Sequence, residues 1–198
     1  MSHQIDAVIA LLRSAIDALS DLRDKADGAR RLGVPWLSQL GPDAAYSNAD
    51  CGPACVAMWL RWLGQVVTVD QASKATGLPH GYKYTVPAQL VAAAGKFGLA
   101  LRREFGLTPA VLRDEIASGS PAIVLVHYPD LPRRYDPKFA TGHYILVVGS
   151  TDKTLLYHDS YWPDSTGQFM AIEDAALERA MQNCERDGNT PRQGLVKA

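Results

Sequence analysis

Cys51 stands in the segment Asp50-Cys51-Gly52-Pro53-Ala54-Cys55, where a polar loop gives way to an apolar helix. Gly52 and Pro53 suit a sharp helix entry, because proline tolerates the first turn and lacks an amide that would go unsatisfied there. A thiol at that point faces unpaired backbone amides and the positive end of the helix dipole, and both favour the thiolate. The chemistry open to it is nucleophilic attack on an acyl carbon. Taken alone, the segment also reads as a small buried cysteine, the commonest fate of a free thiol.

A nucleophile of this kind needs a base that takes its proton, an acceptor that orients the base, and donors for the developing oxyanion. His143 follows Gly142 and opens the apolar run 144–148, so its backbone should be rigid while its side chain stands at a sheet end. Asp159 follows Leu155-Leu156-Tyr157-His158, at the far end of the next apolar run. If 143–149 and 154–159 pair as a hairpin, their outer ends are neighbours and Asp159 reaches His143. Successive strand residues face opposite ways, so only one of His158 and Asp159 can meet His143. The carboxylate is the expected partner, since it fixes the imidazole tautomer and stabilises the imidazolium. Gln39 precedes Cys51 and could donate its side-chain amide to an oxyanion, beside the Cys51 backbone N–H.

The elements that must position these groups can be traced in order. Residues 4–27 carry an apolar stripe through Ile5, Val8, Ile9, Leu12, Ile16, Leu19 and Leu22, predicting an amphipathic helix that ends at Gly28. It either packs on the domain or serves self-association or docking, being roughly three heptads, a marginal length for a coiled coil. Cys55, Met58, Trp59 and Trp62 form the buried stripe of the helix that starts at Cys51 and stops at Gly64. Further helices are predicted over 70–76 with Asp70 as cap, over 87–97, and from Thr108-Pro109 to Ala117. Residues 99–104 read as a short strand. Continuous apolar runs at 122–126, 144–148 and 155–157 read as covered strands, with a hairpin turn at 149–152. Another strand over 167–172 and a helix from Asp174 to about Cys184 follow, and the polar stretch 185–198 reads as a loose tail. Helices first and a sheet second is an α+β layout. The organisation expected is a helical extension over 1–30, a domain over 31–184 and a tail over 185–198.

Composition narrows the partners. Twenty basic against twenty-one acidic residues leave a net charge of −1, with no surplus to hold nucleic acid or an anionic membrane. No run approaches the apolar length of a membrane span, and the N-terminus has no secretory signal pattern. Three cysteines without framework spacing fit a reducing compartment, so a cytoplasmic location is expected.

Gln39, Asp50-Cys51-Gly52-Pro53-Ala54, Gly142-His143-Tyr144-Ile145-Leu146-Val147-Val148-Gly149 and His158-Asp159 together resemble the C39-like branch of papain-fold cysteine peptidases, which includes bacteriocin-processing domains. The resemblance spans about residues 34–180. It implies a papain-like fold, a helical half followed by a small antiparallel sheet, with no cofactor and no metal. It further implies Cys51 as nucleophile, His143 as general base and acid, Asp159 as orienter, Gln39 as oxyanion donor, and hydrolysis of a peptide or amide bond through a thioester. Gln39 lies twelve residues ahead of Cys51, a longer interval than such peptidases usually show. No Walker-type glycine loop is present in these residues, so leader cleavage coupled to export is not expected. A glycine-ended leader, another protein or a peptidoglycan peptide would each suit the thiol. Transfer of the acyl group to an amine, or a catalytically silent peptide-binding module, are the alternatives.

The remaining candidates are weaker. Cys51 and Cys55 form a Cys-x₃-Cys pair without a second pair, a poor zinc signal, so Cys55 reads as core and Cys184 as incidental. His127 ends the strand 122–126 and either lines the same cleft or caps the strand. His80 sits in a Pro-His-Gly turn and His3 in a terminal segment. Tyr82, Tyr84, Tyr128, Tyr135, Tyr161 and Trp162 fall beside the motifs, as a substrate groove or as local packing. Arg133-Arg134-Tyr135-Asp136-Pro137 reads as a solvated turn or a mobile rim.

Overall fold

The computed structural model describes residues 29–42, 49–79 and 84–198. The helix expected over 4–27 therefore lies outside the described residues, as do His3, His80 and Tyr82. Seven strands form one sheet: β1 (Arg30–Arg31), β2 (Leu101–Phe105), β3 (Ala122–His127), β4 (Gly142–Ser150), β5 (Thr154–His158), β6 (Met170–Glu173) and β7 (Gln193–Lys197). Their spatial order is β2-β7-β3-β4-β5-β6, with β1 added against the far end of β4, and every pairing is antiparallel. Among the described residues five α-helices accompany it: α1 (Cys51–Trp62), α2 (Val69–Ala75), α3 (Pro87–Lys96), α4 (Pro109–Ala117) and α5 (Asp174–Gln182). The helix-then-sheet order of an α+β protein is thus present, with a larger sheet than the small one expected.

The central strands β3 and β4 are buried along nearly their whole length, which is why they read as unbroken apolar runs rather than alternating ones. Helix α1 packs on β4, α2 and α3. It is buried from Gly52 to Leu60, so the stripe through Cys55, Met58 and Trp59 understates a helix that is covered all round, while Trp62 is half-exposed. Gly52 is required at its start: a Cβ there would lie 2.7 Å from Leu90 Cδ1 and 2.8 Å from Thr85 Oγ1. The absent side chain lets the beginning of α1 dock against the beginning of α3.

Two expectations need correction. Helix α2 is capped by Thr68, not Asp70: Thr68 Oγ1 accepts from the Gln71 amide and Gln71 Oε1 accepts from the Thr68 amide, a reciprocal capping box. The stretch 185–198 is no loose tail. Residues 193–197 form β7, inserted between β2 and β3, with Leu195 and Val196 fully buried. Only three apolar residues lie in that strand's neighbourhood of sequence, and its stability comes from pairing on both sides rather than from its own pattern.

Candidate active site

Cys51 is the first residue of α1 and half-exposed. Its helix begins with the Ala54 amide donating to the Asp50 carbonyl at 2.7 Å, so the amides ahead of Ala54 have no acceptor within the helix. Asp50 is fully buried and its carboxylate takes a hydrogen bond from Ser73 Oγ at 2.6 Å, which ties the nucleophile's helix entry to α2. Cys55, one turn on, donates its thiol to the Tyr144 carbonyl at 3.7 Å and is fully buried. Burial, then the neighbouring Cys51 and Asp159, push its thiol well above the usual range. Cys55 belongs to the core.

His143 lies on β4 opposite Val126 of β3, and its ring is 1% exposed. His143 Nε2 and Asp159 Oδ1 are 2.8 Å apart, and the nearby Cys51 is among the groups that favour the imidazolium. With Nε2 committed to the carboxylate, Nδ1 is the ring nitrogen left for a second partner. Burial disfavours the imidazolium and is the largest influence on it. The charge and hydrogen bond of Asp159, followed by those of Cys51, outweigh burial and raise His143 to about 10. The histidine is therefore cationic through the neutral range.

The register explains why Asp159, rather than His158, makes this contact. His158 pairs with Leu146, so it shares a face with Leu146 and Tyr144, and the next residue turns toward the face of His143 and Ile145. Asp159 Oδ1 also accepts the Tyr161 amide at 2.9 Å, a carboxylate closing its own turn. Asp159 Oδ2 is buried with no hydrogen-bond partner among the described residues. Gly167 secures the backbone behind it: the Asp159 amide donates to the Gly167 carbonyl at 2.8 Å, and a Cβ on Gly167 would stand 2.2 Å from the Asp159 carbonyl oxygen. Tyr128, Phe139 and Tyr161 surround the imidazole, with centroid distances of 5.0, 6.2 and 6.1 Å. This ring cage keeps water from the ion pair, and a low local dielectric strengthens it.

Gln39 is 2% exposed. Its amide nitrogen in the main chain donates to the Ser160 carbonyl at 2.8 Å, and Ser160 Oγ donates to Gln39 Oε1, also at 2.8 Å. Fixing Oε1 on a hydroxyl assigns the other end of the side-chain amide as its NH₂ donor. The same strip is fastened by Trp36 Nε1 on the Asp159 carbonyl at 2.9 Å and by Ser38 Oγ on the Trp162 carbonyl at 2.6 Å. Gln39 and Asp159 thus sit on two lengths of chain laced together. Ser160 and Trp36 went unnoticed in the sequence, where nothing in their spacing signals a pairing over more than a hundred residues.

His158, on the other face, is a clasp. Its Nε2–H donates to the Val34 carbonyl at 2.9 Å and its Nδ1 accepts the Phe169 amide at 3.1 Å. Burial is the main reason it is lowered to about 4, so it is neutral where His143 is charged. A group whose folded value lies below its unfolded one near 6.5 contributes stability that is intact above 6.5 and lost as pH falls toward 4. Melting temperatures should fall across that window, by on the order of 3 kcal/mol in stability. His158→Gln should flatten this part of the pH dependence; an unchanged slope would show that another group is responsible.

The other candidates separate clearly. His127 Nδ1 meets Asp187 Oδ2 at 2.8 Å. Tyr128, Tyr135, Phe139, Tyr161 and Trp162 pack mainly on one another. The Arg133 guanidinium lies over the Trp162 ring and the Tyr135 amide donates to Tyr128 Oη at 2.8 Å, so the charged stretch at 133–137 is stitched to that cluster. Cys184 is buried, and burial with the nearby Asp187 and Asp130 pushes its thiol up to about 12. No group of three or more metal-binding side chains occurs among the described residues, and none of their helices is long and apolar enough to cross a membrane.

Comparison with known proteins agrees with this architecture. A search of curated protein sequences gave no match. Among solved structures, a protein of Bacillus anthracis assigned as a C39-like peptidase superposes with a TM-score of 0.63 at 14% identity, covering 87% of this chain and 98% of that one. The peptidase domain of Streptococcus ComA, a bifunctional ABC transporter, gives 0.55 at 18% identity, covering 83% and 98%. A double glycine motif protease from an AMS/PCAT transporter, solved with its leader peptide, gives 0.52 at 19% identity, covering 85% and 94%. These likenesses establish the papain-like fold. The model of the Peptidase_C39 like family matches residues 31–187, most of the described chain, and the protein belongs to that family.

Proposed function

We propose that this chain is a cysteine peptidase that cleaves a peptide or amide bond through a thioester on Cys51. One observation carries the reading: a buried imidazole held by a carboxylate at 2.8 Å, with a thiol at a helix N-terminus among the groups that act on it. In this reading the Cys51 proton passes to the imidazole, whose cationic form Asp159 favours. The sulfur attacks the acyl carbon, and the oxyanion that forms is met by the Cys51 amide and the Gln39 NH₂. His143 gives its proton to the leaving amine as the C–N bond breaks, leaving a thioester. Water then attacks, losing its proton to His143, and the acid departs as the C–S bond breaks. Asp159 keeps the imidazole in the tautomer and orientation both steps need. A peptide substrate is also in keeping with the leader peptide bound by the AMS/PCAT protease of the same fold.

The test is a cleavage screen on mixed peptides with the wild type and Cys51→Ala, read by mass spectrometry. Products from the wild type alone support the reading, and equal products from both would sink it. Gln39→Ala should leave a remnant, since loss of one oxyanion donor costs about 2.7–4 kcal/mol, or 10²–10³ in kcat. Gln39→Ala at full activity would remove Gln39 from the site.

A further inference from the structure

Beside Cys51 lies a cavity of about 150 Å³. Val86, Leu125 and Tyr144 form apolar parts of its wall, and Asp187 and Asn189 form a polar end. A cavity of that size holds about a benzene ring's worth of atoms, far more than a glycine or alanine side chain needs. Among the described residues, no lysine or arginine lines it. Gly142, immediately ahead of His143, keeps it open: a Cβ there would stand 3.0 Å from Asn189 Nδ2 and 3.8 Å from Asp187 Oδ2.

The Asp187 side chain is only 8% exposed. It lies in the turn Asn183–Asp187 that follows α5. Its Oδ2 is held by His127 Nδ1 at 2.8 Å, while Oδ1 takes no hydrogen bond among the described residues. A carboxylate nearly withdrawn from water is costly unless its charge and lone pairs are matched. The second oxygen keeps contact with solvent and is an open acceptor in the lining of a pocket whose other walls suit an aliphatic stem. That combination fits a long side chain with an apolar shaft and a cationic head.

His143, Asp159 and Gln39 do not line the cavity. Those groups serve the leaving amine and the oxyanion, which leaves the pocket to the acyl half of the substrate. Resting on the peptidase reading above, we propose that the Asp187 pocket selects a lysine or arginine side chain close to the scissile bond on its N-terminal side. Leu125 and Tyr144 cover the stem, and Asp187 Oδ1 with the Asn189 side chain receives the head.

Peptides carrying Lys, Arg, Leu, Gly or Glu at each of the two positions before the cut provide the test. The basic peptides should exceed the Glu peptides by about tenfold or more in kcat/KM at one position. Asp187→Asn keeps the shape and an acceptor for His127, and should erase most of that preference while Leu peptides change little. Equal cleavage of Leu or Gly and Lys peptides by the wild type, or an undiminished basic preference in Asp187→Asn, would overturn the proposal. A second measurement needs no turnover, so that a missing peptidase activity and a wrong pocket are told apart. Alkylation of Cys51 by cationic 2-bromoethylamine is compared with alkylation by neutral iodoacetamide. The ratio should fall at least about threefold in Asp187→Asn, and an unchanged ratio counts against the pocket whatever the cleavage screen shows.

Discussion

Cys51→Ala and His143→Ala are each expected to bring turnover down to background, a loss on the order of 10⁶ in kcat by comparison with other acyl-transfer enzymes. In the proposed mechanism the two groups act on one proton, so the double variant should be no slower than either single one. A further drop in the double variant would mean that they work independently. Cys51→Ala should leave the fold intact, because the position is half-exposed and alanine suits a helix start held by the Asp50 carbonyl. Matching melts for wild type and Cys51→Ala, beside a complete loss of products, separate a chemical defect from a folding one. The raised value of His143 also predicts the wild-type pH profile: activity falls on the alkaline side as the imidazolium loses its proton toward about 10.

Asp159→Ala is expected to damage both stability and rate. It removes the partner of a histidine that is 1% exposed, and breaking a buried ion pair from one side costs about 3–5 kcal/mol. Asp159→Asn keeps the shape and an acceptor for the Tyr161 amide, so it isolates the charge; its kcat should fall by about 10⁴. The direction with pH follows from the raised folded value of His143. Stability from the pair is complete below about 6.5, the unfolded value, and is lost as pH rises through about 10. The difference in melting temperature between wild type and Asp159→Asn should thus be largest below neutrality and shrink toward pH 10. The alkaline limb of activity should move to lower pH in the variant. A stability difference that stays constant from pH 6 to 10 would assign the effect to packing rather than charge.

Much of the framework was legible because its signals are local. The Gly-Pro entry after Cys51, the Thr108-Pro109 start of α4 and the glycines that end α1 and α3 all act within a few residues. β3, β4 and β5 announced themselves as apolar runs because both faces of the inner strands are covered. The hairpin of β4 and β5 could be inferred from adjacency; strand alternation then allowed only one of His158 and Asp159 to meet His143, and the chemistry of a carboxylate pointed to Asp159. β7 could not be inferred: its sequence Gln193-Gly194-Leu195-Val196-Lys197 is short and mixed, and only pairing with β2 and β3 makes it a strand. Gly194 is tolerated within it because Ile123 approaches so closely that a Cβ would be 2.4 Å from its carbonyl oxygen.

By itself the sequence determined the family likeness, the helix that carries Cys51, and the face of the sheet from which Asp159 meets His143. Those follow from residue type and short-range periodicity. Only the tertiary structure decided that Gln39 is locked to Ser160, that three aromatic rings wall off the imidazole, that His158 is a neutral clasp, and that Asp187 reaches the cavity beside Cys51. Each of these joins residues from distant parts of the chain. Their meeting is fixed by how the helices and strands pack, and no local preference of the backbone records it.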